Sequence, residues 1–565
     1  MPRTPAEFLE RASASSLSKD PAALKSPADD MYGQVKSPTG PVELENGALR
    51  AGPAPVIWSK GYMAFLMMYV GSGLTYSVFY GLVYPFLNNY LRMSGIATSS
   101  TYVLLTMPYT LKVFFGIIID CVPIRGCRRR PYMLIGWAIC TICCIIMACL
   151  PVGDPYYAEY DWVYLSEDEL TAEQIAQINY DAPDSGAKWV ILMFIANVGV
   201  VIAATAVGGL MVEISQREPE NVRGTLQTLI WVARDVGGVM ASSLLGFGMN
   251  SEDFGGHFAG AIGVTALMVI LAVFSLITGL GAWFFIEEQP AQRRSIRVEV
   301  AKLFDLIQMR VVYQILIFLF FKNMFTNVSV TAASPIASVW AQVEPITSSV
   351  VNIIHYIVGI VTFSAVAKYG LNWSWRSMIV VSQIAIIVID MIPTFLTIWD
   401  VVRNQWFWLG LPILDDIPSN IAFIVSTYCM VEIMEEGNEA AFYGLTVAIS
   451  TLASPFATVL TKNIDANFDI ATKDLQVDDN YVRWQVTYAY IISFAFKTFA
   501  IVFIVLLPRQ KAECQELRRN GGKSKTIGTI VVLVLAFLYV WSIMTNIMSI
   551  FPSTSCLKVA GGKGC

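Results

Sequence analysis

The chain has 565 residues, 55% of them hydrophobic and 14% charged, with a formal net charge of -5 and a mean hydropathy of +0.57. A soluble protein carries about a quarter charged residues. Here the deficit is concentrated in apolar stretches of roughly 20 residues or more, each long enough to cross a bilayer as a helix. This excludes a soluble globular protein and predicts an all-α polytopic membrane protein.

In chain order, residues 1–57 are polar and rich in Pro, Ser, Ala and Gly, which predicts a disordered cytoplasmic tail without a cleavable signal peptide. Spans are predicted at 61–87, 98–119, 131–151, 188–213, 225–249 and 259–286, forming a first six-helix bundle over 58–286. A basic cytoplasmic linker, 287–310, leads to spans 311–337, 347–367, 376–398, 406–434, 440–461 and 484–507, a second six-helix bundle over 311–507. A basic cytoplasmic loop (508–525), a thirteenth helix (526–551) and an extracytoplasmic tail (552–565) complete the chain.

The loops alternate in charge. "RGCRRR" (125–130), the linker and "RQKAECQELRRNGGKSK" (509–525) are basic, whereas 152–187 and the loop around Asp465, Asp469, Asp474, Asp478 and Asp479 are acidic. The positive-inside rule therefore puts the basic loops and the N-terminus in the cytoplasm and the C-terminus outside. Within the linker, Val298, Val300, Leu303, Leu306 and Ile307 lie roughly on one helical face, a pattern fit either for the inner leaflet or for a simple tether. Cys556 and Cys565 on the outer tail could close a short disulfide loop or remain free thiols. Cys140, Cys143, Cys144 and Cys149 lie inside an apolar span and read as packing residues, so no metal site is expected. Glycosylation patterns at Asn327 and Asn372 fall inside a span and on the cytoplasmic side, and are discounted.

Ionisable residues inside spans are costly and face a cavity or a partner. Arg234 and Asp235 lie near the middle of span five, Lys322 near the middle of span seven, and His355 in the centre of span eight. Asp390 falls in the outer half of span nine; Asp415 with Asp416, and Lys497, are central in spans ten and twelve. Both signs at similar depth predict a polar cavity at mid-membrane, where repeat-built transporters hold substrate. Gly- and Pro-rich stretches at 70–85, 196–209 and 412–420 are expected to break or loosen their helices. No HExxH, P-loop or other nucleotide signature is present, and His355 has no evident catalytic partner, so no enzyme, cofactor or nucleic-acid binding is expected. A non-transporting nutrient sensor on a transporter fold stays open.

The loop between spans two and three adds a motif. Gly-x-x-x-Asp followed by a basic run resembles the signature loop of the major facilitator superfamily. More narrowly, "LKVFFGIIIDCVPIRGCRRRPY" (111–132) resembles the folate–biopterin transporter family through Lys112, Gly116, Asp120, Pro123, Ile124, Gly126, Arg128, Arg129, Arg130, Pro131 and Tyr132. Val113 and Ile119 depart from that pattern. "EEGNEAAFYGLTVAISTLASPF" (435–456) is similar to a second family motif through Gly437, Glu439 and Ala440, with Glu435 and Glu436 in place of prolines.

The resemblance, covering roughly 60–510, implies two six-helix bundles and a secondary transporter of folates, pterins or, in some members, S-adenosylmethionine. It also implies a cytoplasmic gate drawn from Lys112, Gly116, Asp120, Arg128, Arg129, Arg130 and Glu439, in which Asp120 meets Arg128 or a partner at the inner end of another helix.

For a folate, the charged residues suggest roles. Arg234, Lys322 and Lys497 suit the carboxylates, and Asp415 or Asp416 the donor edge of a pterin. Asp235 or Asp390 could carry a coupling proton, with facilitated diffusion as the alternative. A cation such as S-adenosylmethionine, held by the aspartates, is the competing substrate. Tyr76, Tyr80 and Phe325 could stack on a heterocycle, though packing or lipid contact is their simpler role. The plasma membrane is the default location, with the substrate, the bilayer and protons as partners.

Overall fold

The computed structural model describes residues 47–550 except 53–54, 57, 94, 160–161, 163–170, 255, 257, 289, 344 and 471, together with 554 and 557. Residues 1–46 of the expected tail, and Cys556 and Cys565, lie outside the described residues.

The first six spanning helices are α1 (Lys60–Tyr90), α2 (Ser100–Cys121), α3 (Arg130–Cys149), α4 (Ala182–Ser215), α5 (Thr225–Gly248) and α6 (Gly263–Phe285). After a linker helix (Ile296–Ile307) come α7 (Arg310–Thr326), α8 (Ser349–Gly370), α9 (Trp375–Ile398), α10 (Gln405–Ile433), α11 (Glu439–Asp465) and α12 (Asn480–Leu506). A short loop helix (Lys511–Asn520) precedes α13 (Lys525–Ile550). All of these except α7 and the two short helices are long and apolar enough to cross a membrane. Their outward faces carry large apolar side chains such as Ile142, Ile145, Val273, Ile277 and Phe284, as lipid contact requires.

Helices within each half pack closely because small residues sit at the crossings. Where α1 crosses α5, a Cβ on Gly73 would stand 2.1 Å from the Arg234 carbonyl oxygen, and one on Gly237 would stand 2.1 Å from that of Val70. The halves meet along two seams, α5 with α8 and α2 with α11, and α4 also leans on α11. Helix α13 packs on α2 and α11, adjoining both halves beside the second seam.

Three sequence expectations change here. The stretch 196–209 does not break its helix: α4 is continuous, and its glycines admit neighbours, Gly199 against Gly136 and Gly208 against the Tyr443 ring. In the linker helix, Leu303, Leu306 and Ile307 are buried with Glu299, while Val298 and Val300 are exposed. The helix docks on α2 and α13, and these neighbours decide which face is covered.

The third change is a break that composition did not mark. Helix α7 ends at Thr326 and the chain resumes a turn at Ala333. Groups of the interrupted backbone find partners in the same half. The Ser329 and Thr331 N–H groups donate to Thr461 Oγ1 (3.1 Å) and Asp465 Oδ2 (2.6 Å), and Ser493 donates to the Val328 carbonyl (2.8 Å). Such satisfaction is what allows irregular backbone at membrane depth. The other two stretches do depart from α geometry: α1 becomes a π-helix at Val83–Tyr90, and α10 holds a 3-10 turn at Leu411–Asp415.

Candidate functional site

Among the described residues, charged side chains collect in three places: the end of the bundle that carries the basic loops, the acidic end, where Arg403 and Arg483 share Asp400 and Asp478, and a cleft-like zone at mid-height where the halves face each other.

The first turn of a helix leaves backbone N–H groups without partners. At the start of α3 the Glu288 carboxylate, arriving from the end of α6, accepts from the backbone N–H groups of Arg128 (2.8 Å), Arg129 (3.0 Å) and Arg130 (3.0 Å). This fixes the three arginine side chains in different directions. Arg130 donates to the Trp283 carbonyl and covers the Trp283 ring, so it ties α3 to α6 within one half. Arg129, 1% exposed, instead bridges the halves: it donates to Glu213 of α4 at 2.5 Å and to Glu439 of α11 at 3.0 Å. Arg128 approaches Glu439 only to 3.9 Å.

Asp120 completes the bridge. Its Oδ2 accepts the backbone N–H of Ala441 at 2.8 Å, capping the first turn of α11 from the opposite half. Lys112, Gly116 and Asp120 are spaced i, i+4, i+8 and share one face of α2. That face is the α2–α11 seam: a Cβ on Gly116 would lie 2.4 Å from the Ala440 carbonyl oxygen, and one on Gly444 would lie 2.5 Å from that of Lys112.

Glu439, fully buried, also accepts from Arg50 at 2.7 Å. Arg50 belongs to the tail expected to be disordered, but residues 47–52 dock on this end. The Leu49 and Arg50 N–H groups donate to the Gln216 carbonyl, and Arg223 donates to that of Gly47. A buried carboxylate shared by three arginines gives the segment its anchor.

A second bridge stands alongside. Arg223, between α4 and α5, donates to Glu432 of α10 at 2.6 and 3.3 Å, and Gln515 of the loop helix donates to the same carboxylate at 2.7 Å. Gln216 donates to the Val431 and Met434 carbonyls. Glu218 caps α5, accepting from the Gly224 (2.8 Å) and Leu226 (3.0 Å) N–H groups. Burial pushes its carboxyl up to about 7, against the downward pull of those two N–H donors and of Lys511 and Arg223.

The mid-height cleft has unlike walls. On the first-half side the Arg234 guanidinium lies over the rings of Trp231 (5.1 Å) and Tyr76 (5.7 Å). Tyr76 meets Tyr109 edge-on at 5.4 Å, and Lys112 Nζ lies over Tyr109 (4.9 Å) and Tyr443 (5.3 Å). Among the described residues neither Arg234 nor Lys112 has an ion-pair or hydrogen-bond partner. Asp235 points the other way, since successive helical residues diverge by about 100°. A Cβ on Gly359 of α8 would lie 2.4 Å from its Oδ2, and 3.4 Å from Asn420 Nδ2.

The second-half wall is acidic. His355 is hydrogen-bonded to Asp416, and Asp390 is paired with Lys497 at 2.7 Å. Asp415 lies within electrostatic reach of all four. Ser77 of α1 and Tyr356 of α8 join the walls at 3.0 Å.

The structure therefore sorts the expected site residues. Asp235, Asp415, Asp416 and His355 converge, whereas Arg234 faces away from them. Lys497 is committed to Asp390, so one expected substrate cation and one expected proton carrier are a pair. Lys322 has only Asn323 nearby, at 3.5 Å, and no carboxylate among the described residues. Lys112, expected in the gate, turns its ammonium onto the Tyr109 and Tyr443 rings, beside Arg234. Phe325 stacks among Phe321, Phe496 and Phe503, a packing cluster, while Tyr76 stands under Arg234. Sequence reasoning missed Arg50, Glu213, Arg223, Glu288 and Glu432. Two of the acids did leave a signal: Glu213 and Glu432 lie within the last turns of long apolar runs, where a carboxylate is costly unless a buried base holds it.

Two helical halves bridged by buried ion pairs at one end, with charged side chains facing one another between them, have the architecture of the major facilitator fold. Solved structures of that fold match. The chain superimposes on the D-xylose–proton symporter with a TM-score of 0.53 and 12% identity, covering 79% of this chain and 97% of that one. The human organic anion transporter MFSD10 gives 0.53 and 10%, covering 79% and 99%.

More narrowly, the chain belongs to the BT1 family, whose model matches residues 72–162 and 179–527. Among curated relatives, the probable folate-biopterin transporter 4 of Arabidopsis thaliana is 25% identical over 165 residues, 29% of this chain and 28% of that protein. The folate-biopterin transporter of Synechocystis is 21% identical over 380 residues, 65% and 67% of the two chains. Family and fold are those of transporters that carry a small molecule, not of enzymes.

Proposed function

We propose that the protein moves a pteridine-type solute, folate or biopterin, by alternating access coupled to proton symport. The observation that carries this reading is the polarity of the cleft. One wall offers Arg234 without an ion-pair or hydrogen-bond partner among the described residues, and Lys322 stands equally unpaired. The other offers Asp415 and Asp416. A solute with carboxylates at one end and a donor-rich ring at the other is complementary to both walls. The names of the curated relatives support the same class.

Asp235, which has no ion-pair partner among the described residues, and Asp390, whose protonation would release Lys497, are the proposed coupling carboxylates. The lock at the basic end, from Asp120, Arg128, Arg129 and Glu439, closes that end in the present conformation and must open for the cycle to proceed. With the basic loops and N-terminus cytoplasmic and the C-terminus outside, this is the outward-facing state, and the plasma membrane is the proposed location.

The test is uptake into proteoliposomes of labelled folate, biopterin and S-adenosylmethionine, with and without an inward proton gradient. Folate or biopterin uptake that the gradient accelerates is expected. Uptake of S-adenosylmethionine alone would reassign the acidic wall to a cation. Uptake of none, by protein of verified orientation, would leave a sensor on a transporter fold.

A further inference from the structure

We infer that Lys112 and Arg234 form one anion subsite that takes a carboxylate of the cargo. The inference rests on the reading above that the cleft binds a pteridine, and it makes the protein selective for one that bears a carboxylate tail.

Lys112 is 4% exposed, and its Nζ meets two aromatic faces. Arg234 likewise lies on two aromatic faces. The ring contact between Tyr76 and Tyr109 places the two cations side by side, within electrostatic reach of one another. An aromatic face offsets only part of the cost of a cation inside the membrane, and a like charge beside it adds to that cost. Other enclosed cations in this protein show how the cost is normally met: Arg129 has Glu213 and Glu439, Arg223 has Glu432, and Lys497 has Asp390. Lys112 and Arg234, like Lys322, have no ion-pair or backbone-carbonyl partner among the described residues; Asp235 lies within electrostatic reach of Arg234 without pairing with it.

A second observation points to the same place. The hydroxyls of Tyr69 and Tyr109 are fully buried and have no hydrogen-bond partner, and both rings lie within reach of Arg234. Buried hydroxyls without partners are expensive. Here they are donors grouped around two cations, which calls for an acceptor with several lone pairs. A carboxylate fits: the guanidinium fork takes two oxygens, the ammonium acts as a point charge, and the hydroxyls fill the remaining lone pairs. A pteridine without a carboxylate would leave all four groups unmatched.

The experiment measures equilibrium binding to the full chain in nanodiscs with three probes: folate, biopterin, and p-aminobenzoylglutamate, the folate tail without the pterin ring. The wild type is expected to bind folate and p-aminobenzoylglutamate. Lys112→Gln and Arg234→Gln should each weaken both by about tenfold or more, the equivalent of one charge-assisted bond, and leave biopterin within about threefold. Lys112→Arg, which keeps the charge, should retain most of the folate affinity and serves as the folding control. Equal weakening of biopterin and folate in Lys112→Gln would make Lys112 a packing residue and overturn the proposal. So would unchanged p-aminobenzoylglutamate binding, or a wild type that binds none of the three. Binding of p-aminobenzoylglutamate with neither pteridine would keep the subsite and sink the pteridine reading. Binding of biopterin as tight as folate, with none of the tail, would do the reverse.

Discussion

Replacing Glu439 with Gln should unlock the basic end. In the present conformation the Glu439 carboxylate is wholly buried and takes Arg50 at 2.7 Å and Arg129 at 3.0 Å, with Arg128 at 3.9 Å. The amide keeps the shape and removes the charge. Arg129 is left with Glu213, which Arg50 also approaches to 3.9 Å, and Arg50 keeps Glu436, a mostly exposed residue. Stripping one partner from a buried ion pair costs about 3–5 kcal/mol. Part of this is recovered, because Asp120 lies within electrostatic reach of Glu439 and is relieved of a like charge. A net loss of about 3 kcal/mol from the closed basic end shifts the conformational equilibrium roughly 150-fold.

The assay is electron–electron distance measurement between spin labels in a background without native cysteines. One pair sits at the basic end, at Phe285 and Tyr369; the other at the acidic end, at Tyr180 and Val401, all four being exposed. Glu439→Gln should lengthen the first distance and shorten the second. Unchanged distributions in both pairs, with the variant folded, would refute the assignment of this network as a lock between the halves.

Arg50→Ala should shift the same distances in the same direction but less, by about tenfold in the equilibrium, because Arg129 stays with Glu439. Asp390→Asn should lower thermal stability by about 2 kcal/mol or more by stranding Lys497, and Asp390→Asn with Lys497→Gln should restore part of it; additive losses in the double variant would count against the pair. Glu218 has a folded-state pKa raised to about 7 from an ordinary value of about 4.3, so its stabilising contribution is full below the lower value and is lost as pH rises through the upper one. Glu218→Gln should flatten the fall in melting temperature between those two pH values, and an unchanged slope would show that the carboxyl does not titrate there. Gly237→Ala should destabilise the first half by about 1–3 kcal/mol, since the added Cβ meets the Val70 backbone and not a movable side chain; a thermal melt at wild-type temperature would refute the close crossing.

What the sequence made legible follows from which signals are local. Span length and loop charge are local, and they gave two helical bundles and a thirteenth helix. The depth of Asp235, His355, Asp415 and Asp416 is local too, and in the structure these residues come close to one another. Direction is not local. That Lys497 faces Asp390, or that Arg234 and Asp235 serve opposite walls, depends on how each helix is rotated against its neighbours. The break in α7 escaped notice for a related reason: its partners, Thr461, Asp465 and Ser493, lie on other helices, and no Pro or Gly marks 327–332. Arg50 was read from composition as part of a disordered tail, and composition cannot register one buried carboxylate waiting across the fold.

The motif on α2 gains a meaning that neither cluster gives alone. Lys112, Gly116 and Asp120 form one stripe, about 12 Å long at 1.5 Å per residue. Its middle is pressed against Ala440, its far end caps α11 through Ala441, and its near end lies over the Tyr443 ring. The helix is interrupted at Leu111, after Pro108, and resumes at Lys112, so the three residues lie on one regular segment, and the Gly116 contact leaves it no slack against Ala440. The stripe thus brings the Lys112 ammonium, the close Gly116 crossing and the Asp120 cap onto one face of one helix, against α11 of the other half.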